Sequence, residues 1–324
     1  MTVSGTVSGR FIAWLGAPDA AGGGRDGQVL GGKAASLDRL ARLGFTVPPA
    51  FCLTTEAFQA HLAAIAEQDV FVAAIERLPD EDARAAVVRL VETSAMPAAV
   101  SGALAEGIAR LVETAPSRPG AGPTFAVRSS GIGEDGTVDS FAGLHETELG
   151  LRDAEIEPAV RRCWASLWSA PAVGYRVRRG RALNAGAMAV VVQNLVPADA
   201  AAVVFTRHPV TNRDDQVLIN AIRGLGEPMV SGTATPDTIV VDKASRGVTE
   251  FTAGDPGERL VAREGGVARV VDGAAGPALS DAALRELIDL SLAVERAFGA
   301  PVDIEAALAV ECWYLLQARP ITTH

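Results

Sequence analysis

Apolar residues recur at three- and four-residue intervals through much of the first 180 positions, the spacing of helices with one buried face. The pattern predicts helices over 33–43, 55–67, 69–77, 81–94, 98–114, 155–169 and 172–181. The first puts Leu37, Leu40, Ala41 and Leu43 on or near one face and stops at Gly44, a C-cap residue. Short apolar or extended runs at 11–15, 47–54, 125–128 and 146–151 predict strands among these helices, and the Pro- and Gly-rich 116–123 predicts a loop. From about residue 187 the texture changes. Positions 187–193 form a continuous apolar run, as in a strand buried on both faces. Further strands are expected at 201–206, 216–221 and 238–242 and around Arg259 and Ala268. A helix over 280–298 has Ser280 as N-cap and Gly299 beyond its end, and a terminal hairpin follows. The pattern divides the chain into a helix-rich N-terminal lobe, 1–192, and a sheet-rich C-terminal lobe, 193–324, an α+β architecture.

Composition narrows the function. A chain of 324 residues exceeds the usual size of a single core. No segment is long and apolar enough to span a membrane, and the first residues lack the basic start and apolar stretch of a signal peptide. Cys52, Cys163 and Cys312 form no CxxC pair, so inert thiols in a reducing cytoplasm are expected. A net charge of −10 argues against a broad nucleic-acid surface but permits a local basic pocket.

Chemistry concentrates in three places. Arg128 ends the apolar run Phe125-Ala-Val, and Ser129, Ser130, Gly131 and Gly133 follow with hydroxyl and backbone donors. That arrangement presents a fixed positive charge and free N–H groups to a polyphosphate, and Gly143 permits close backbone approach. A polar turn with an ordinary arginine is the alternative. Gly27-Gln-Val-Leu-Gly-Gly-Lys33 matches the first seven positions of the G-x-x-x-x-G-K loop, but Ala34 stands where a hydroxyl should meet magnesium, and the nearest strand is too far upstream. What remains is a Gly-Gly turn that delivers Lys33 to the start of a helix, a suitable phosphate position. In the terminal hairpin, alternation puts Asp303 and Glu305 on one face of one strand and Gln317 and Arg319 on one face of the other. A loop of about three residues would set Glu305 opposite Gln317 and Asp303 opposite Arg319. Two carboxylates completed by water and phosphate oxygens suit magnesium, and Arg319 could neutralise phosphate charge during transfer. The alternative is a surface ion pair on an edge hairpin. Gly224-Leu-Gly-Glu227 is a further Gly-rich turn that either supports a phosphate site or merely connects strands. Of the four histidines only His145 lies near these segments, and no covalent phosphohistidine is expected on this chain.

From about Gly31 to Thr322 the chain resembles the N-terminal nucleotide-binding domain of pyruvate phosphate dikinase, phosphoenolpyruvate synthase and rifampicin phosphotransferase. The resemblance rests on Gly-Gly-Lys-Ala-Ala-Ser-Leu (31–37), Val-Pro-Pro-Ala-Phe (47–51), Ala-Val-Arg-Ser-Ser (126–130), Ser-Phe-Ala-Gly (140–143), Val-Val-Gln (191–193), Val-Phe-Thr-Arg-His-Pro (204–209), Gly-Leu-Gly-Glu (224–227), Asp-Ile-Glu (303–305) and Leu-Gln-Ala-Arg-Pro-Ile-Thr (316–322). It implies an ATP-grasp-like fold with ATP held between two lobes. It implies that Lys33 and Arg128 contact phosphates, that Gly143 and Thr147 lie beside the phosphate chain, and that Gln193 and the backbone after it lie near adenine. Glu305 and Asp303 would hold Mg2+ with Gln317 nearby, and Arg319 would assist transfer. In the named enzymes the phosphoryl group passes to a histidine on a separate swivelling domain, and no such segment is recognisable in this sequence. The resemblance therefore implies a dikinase-type component that hands phosphate to a separate domain or partner protein. Two alternatives are a self-contained small-molecule kinase or ATP-activating enzyme, and a non-catalytic nucleotide-binding regulatory subunit.

Overall fold

The computed structural model describes residues 8–17, 27–114, 123–132, 135–136, 139–140, 147–183, 186–255, 257–263, 265–271, 273 and 276–321. Two compact units emerge among the described residues, one taking in those of 1–38, 49–117 and 123–195, the other those of 39–48 and 196–324. Both mix helix and sheet, the expected α+β combination.

The first unit contains α1 (Ser8–Phe11), β1 (Ile12–Trp14), most of α2 (Gly27–Arg42), β2 (Ala50–Leu53), α3 (Thr55–Ala66), α4 (Asp69–Glu76), α5 (Glu81–Thr93) and α6 (Ala98–Glu113). It continues with β3 (Phe125–Gly131), the short pair β4 (Asp135–Gly136) and β5 (Asp139–Ser140), β6 (Thr147–Leu151), α7 (Asp153–Ala165), a 3₁₀ turn (Ser166–Trp168), α8 (Ala170–Arg178) and β7 (Met188–Asn194). Five strands form an antiparallel sheet in the order β1-β2-β7-β3-β6. Side chains alternate across a strand, so the register divides this sheet into two unlike faces. Ile12, Phe51, Leu53, Phe125, Val127, Met188, Val190 and Val192 occupy one and enter a core with Phe58, Val91, Leu104, Val160 and Trp164 from the helices. The other carries the small residues Ala13, Ala50, Cys52, Ala126 and Ala189, all buried, together with Arg128, Ser130 and Gln193. Small side chains let a helix backbone come close. The start of α2 does so, with Leu30 O within 3.7 Å of Cys52 Sγ and Gln28 O accepting from Thr55 Oγ1 at 3.0 Å.

The second unit contains β8 (Ala200–Phe205), β9 (Gln216–Arg223), α9 (Glu227–Val230), β10 (Asp237–Asp242), β11 (Val248–Thr252), β12 (Glu258–Arg263), β13 (Gly266–Val271), α10 (Asp281–Phe298), β14 (Val302–Ala309) and β15 (Cys312–Pro320). Its sheet runs β11-β10-β9-β8-β14-β15, antiparallel throughout, and β12 and β13 pair separately. Val204, Ile219, Ile239, Ile304 and Ala318 line up across one face and share a core with Leu287, Ile288 and Leu292 of α10. That helix is capped as its sequence predicts: Ser280 Oγ accepts from Ala283 N at 3.2 Å, and Gly299 closes the end at φ 70.

Two expectations need correction in detail. Helix formation begins at Gly27 rather than Lys33, but Gly31 at φ 70, ψ 174 breaks α2, so the expected helix is its second segment. Phe45 N–H reaches Leu40 O and Gly44 N–H reaches Ala41 O beyond its end, a Schellman closure with Gly44 at φ 83. In the terminal hairpin the turn has two residues, not about three: Ala309 pairs with Cys312, leaving Val310 and Glu311 at φ 49 and 60. A bulge then skips Leu316, because Ala306 pairs with Leu315 while Glu305 pairs with Gln317. The two departures cancel, and Asp303 faces Arg319 and Glu305 faces Gln317 as expected.

Candidate functional site

In the first unit the expected phosphate-binding segments meet through Ser130. The break at Gly31 exposes the N–H groups that open the second segment of α2, and Ser130 Oγ accepts from Ala34 N at 3.0 Å. That buried bond joins residues 96 positions apart, so Lys33 leaves the chain one residue before a group capped from β3. Glycine at 31 is required twice. Its backbone lies where other residues are strained, and a Cβ there would fall 2.1 Å from Ser130 O. Two residues before Ser130, Arg128 is 8% exposed and pairs with Thr147 on β6 and Val191 on β7. Arg128, Thr147 and Gln193 therefore share the face on which α2 begins, as does Ser130, whereas Ser129 turns to the opposite one. Lys33 is half-buried and Thr147 exposed. Gln193 is 2% exposed, and its Nε2 has no hydrogen-bond partner among the described residues, a buried donor suited to an acceptor on a ligand. Gly143, with Gly133, Glu134 and His145, lies outside the described residues.

In the second unit four expected residues share the sheet face opposite α10. Arg319 donates from Nε to Asp303 Oδ2 at 2.9 Å, and its NH2 lies 2.8 Å from the same oxygen. Burial pushes the Asp303 carboxyl above its ordinary range, and Arg319 opposes that shift without cancelling it. Glu305 is half-buried beside Gln317, which is 6% exposed. Two carboxylates and an amide oxygen on one face fit a hard cation that takes one or two carboxylates and completes its shell with water and phosphate. No group of three or more His, Cys, Asp or Glu arranged for a metal occurs among the described residues. Asp303 has a second task, since its carboxylate fixes the guanidinium of Arg319 in one orientation.

Sequence reasoning missed the support beneath β14. Thr206, fully buried, donates from Oγ1 to Glu295 Oε1 at 3.0 Å and accepts from Val302 N at 2.8 Å. Lys243 Nζ binds both Glu295 oxygens at 2.6 and 2.9 Å. This network pins the strand one residue before Asp303. Only the Val-Phe-Thr block pointed toward it, and Glu295 lies 89 residues from Thr206. A cavity of about 270 Å³ elsewhere in the unit is lined by Arg223, Asp237, Phe251 and Arg259 among others, and by none of the expected site residues. No single helix among the described residues is long and apolar enough to cross a membrane.

Residues 27–324 match the family described as pyruvate phosphate dikinase, AMP/ATP-binding domain, and the chain belongs to that family. It is 34% identical over 325 residues to a probable phosphoenolpyruvate synthase of Methanocaldococcus jannaschii, covering 97% of this chain and 27% of that protein. It is 37% identical over 304 residues to the prodigiosin synthesizing transferase PigC of Serratia marcescens, covering 91% and 32%. It is 35% identical over 306 residues to a rifampicin phosphotransferase of Streptomyces sviceus, covering 91% and 34%. The chain thus spans about a third of the length of these relatives.

Proposed function

We propose that the chain binds Mg-ATP in an ATP-grasp-like manner and serves as the phosphoryl-donating component of a dikinase-type phosphotransferase. Lys33 and Arg128 of the first unit contact the phosphates, with Gly143 and Thr147 beside them, and Gln193 offers its unpartnered Nε2 to the adenine. Glu305 and Asp303 hold Mg2+ with Gln317 adjacent. The cation supplies charge neutralisation on the phosphates when bound. Arg319, fixed by Asp303, keeps a preorganised guanidinium for the charge that shifts during transfer, so little reorganisation is needed as the bond breaks. The acceptor is a histidine on a separate domain or partner, a reading supported by the match to a dikinase ATP-binding domain, by the phosphoenolpyruvate synthase and rifampicin phosphotransferase names of two relatives, and by the chain's share of their length.

The observation that carries this reading is the convergence of Asp303, Glu305, Gln317 and Arg319 on one sheet face in a member of an ATP-binding family. The test incubates the chain with Mg-ATP, alone and with a histidine-bearing swivelling module from a relative. AMP appearing only with the module supports the proposal. ADP with a phosphorylated small molecule from a metabolite pool replaces it with a self-contained kinase, and ATP binding with no turnover replaces it with a regulatory subunit. Arg319→Ala should abolish turnover while adenosine binding persists, and an unchanged rate would remove Arg319 from the mechanism.

A further inference from the structure

The face of the second sheet that carries Glu305 and Gln317 continues across the neighbouring strands. Glu305 pairs with Val203 on β8, Val203 with Asn220 on β9, and Asn220 with Thr238 on β10. Direct cross-strand partners share a face, so Gln317, Glu305, Val203, Asn220 and Thr238 form one row. The next row is Arg319, Asp303, Phe205, Leu218 and Val240. Away from the acidic hairpin these two rows are mostly apolar, with Val203, Phe205 and Leu218 half-buried beside Asn220 and Thr238. Asn220 is half-buried too, and Thr238 Oγ1 donates to Asn220 Oδ1 at 3.0 Å, which turns Nδ2 away from Thr238. With the oxygen engaged, the amide offers the face its two N–H donors. Two inter-strand spacings, about 10 Å, separate the backbones of Asn220 and Glu305, a gap that their side chains and a phosphate chain can bridge.

We infer that Asn220 is a phosphate-binding residue, donating its amide N–H to an anionic oxygen of the nucleotide bound at Glu305, and that Thr238 is the positioning residue that turns the amide toward it. The inference rests on the Mg-ATP reading above. A donor in a mostly apolar wall loses water when a ligand covers it and needs an acceptor in exchange, which a phosphate oxygen supplies. Were the amide reversed, its oxygen would face the phosphate and repel it.

The test measures Mg-ATP and adenosine binding by calorimetry on the full chain. Asn220→Asp keeps an acceptor for the Thr238 hydroxyl but replaces the donors with negative charge. It should keep the wild-type melting temperature and weaken Mg-ATP at least tenfold, with adenosine unaffected. Asn220→Ala adds no charge and should weaken Mg-ATP about five- to tenfold. Thr238→Val, which leaves the amide without its anchor, should give a smaller loss that falls on Mg-ATP alone. Mg-ATP binding by Asn220→Ala within twofold of wild type overturns the inference, as does an equal loss of adenosine binding, which would make the role structural. Arg319→Ala in the same series separates the two levels. If it weakens Mg-ATP while Asn220→Ala does not, only this inference fails. If wild type does not bind Mg-ATP, both fall.

Discussion

Replacing Gly31 by alanine probes the junction of the Gly-Gly-Lys turn and the Arg-Ser-Ser strand directly. The new Cβ would sit 2.1 Å from Ser130 O, 2.5 Å from Ser130 C and 2.6 Å from Ser130 Oγ, where ordinary contacts begin near 3.4 Å. Two of those atoms are backbone of a central strand paired on both sides, so α2 must retreat by more than an ångström. Three costs accumulate: about 1–3 kcal/mol for a backbone conformation close to glycine-only, about 1–3 for overpacking, and about 1 for stretching the Ser130 cap on Ala34. Allowing for partial relaxation, a loss of about 3–5 kcal/mol follows, a large part of a typical domain's stability. Urea unfolding followed by tryptophan fluorescence reports on both units, through Trp14, Trp164 and Trp168 in the first, which holds Gly31, and through Trp313 in the second, which holds Gly44. Gly44→Ala is the control, since Gly44 has φ 83 but nothing within 4 Å of its Cβ, and it should cost only about 1–2 kcal/mol. Ser130→Ala should not rescue Gly31→Ala, because the closest clash is with backbone. A Gly31→Ala loss below about 1 kcal/mol, or one no larger than that of Gly44→Ala, would refute the argument.

Other expectations follow from the same geometry. His61 is fully buried, with Nε2 3.0 Å from Val91 O, and burial lowers its pKa from 6.5, with Arg161 adding to the effect and Val91 and Glu157 opposing it. Below pH 6.5 the unfolded chain binds a proton that the folded chain resists. Stability of the first unit should therefore hold above 6.5 and fall toward pH 5 by up to about 1.4 kcal/mol per pH unit from this residue. His61→Gln should flatten that slope in urea titrations at the two pH values, and an unchanged slope would exclude His61 as its source. Val310→Asn with Glu311→Gly supplies the residues a two-residue turn with positive φ prefers and should raise stability by about 1–2 kcal/mol in thermal melts; a decrease would contradict the turn geometry. Thr206→Val leaves Val302 N–H without its acceptor and should cost about 2–3 kcal/mol, read by faster amide exchange at Val302. Unaltered exchange would show that the network does not hold the strand.

Much of this was legible in the sequence. Helices α3 to α6 begin and end within about a residue of the spacing's forecast, because each has a buried stripe and a plain start: Asp80 Oδ1 accepts from Ala83 N at 2.9 Å, and Pro97 precedes α6. The pairing of Asp303 with Arg319 was legible from alternation, although the forecast of a longer turn was offset by a bulge that no local pattern announces. Strand β11 was missed because all five of its residues are exposed at a sheet edge and leave no alternation to read. The four-residue α9 is too short for helical spacing to register. The Ser130–Ala34 and Thr206–Glu295 bonds were illegible for another reason: they join residues 96 and 89 positions apart, and one sequence carries no trace of such partners.

The allegiance of Arg39–Pro48 bears on how the molecule can be taken apart. Leu40 is fully buried in the core of the sheet-rich unit, Phe45 and Val47 pack against that core, and Thr46 O accepts from Leu315 N at 2.9 Å. A truncation beginning at Val196 would amputate this decapeptide and leave a solvent-filled notch beside Leu315. Dissection of the protein into separately expressed halves should therefore graft residues 39–48 onto the later fragment, as a tether or an added peptide, rather than cut at the single point where helix-rich sequence gives way to strands.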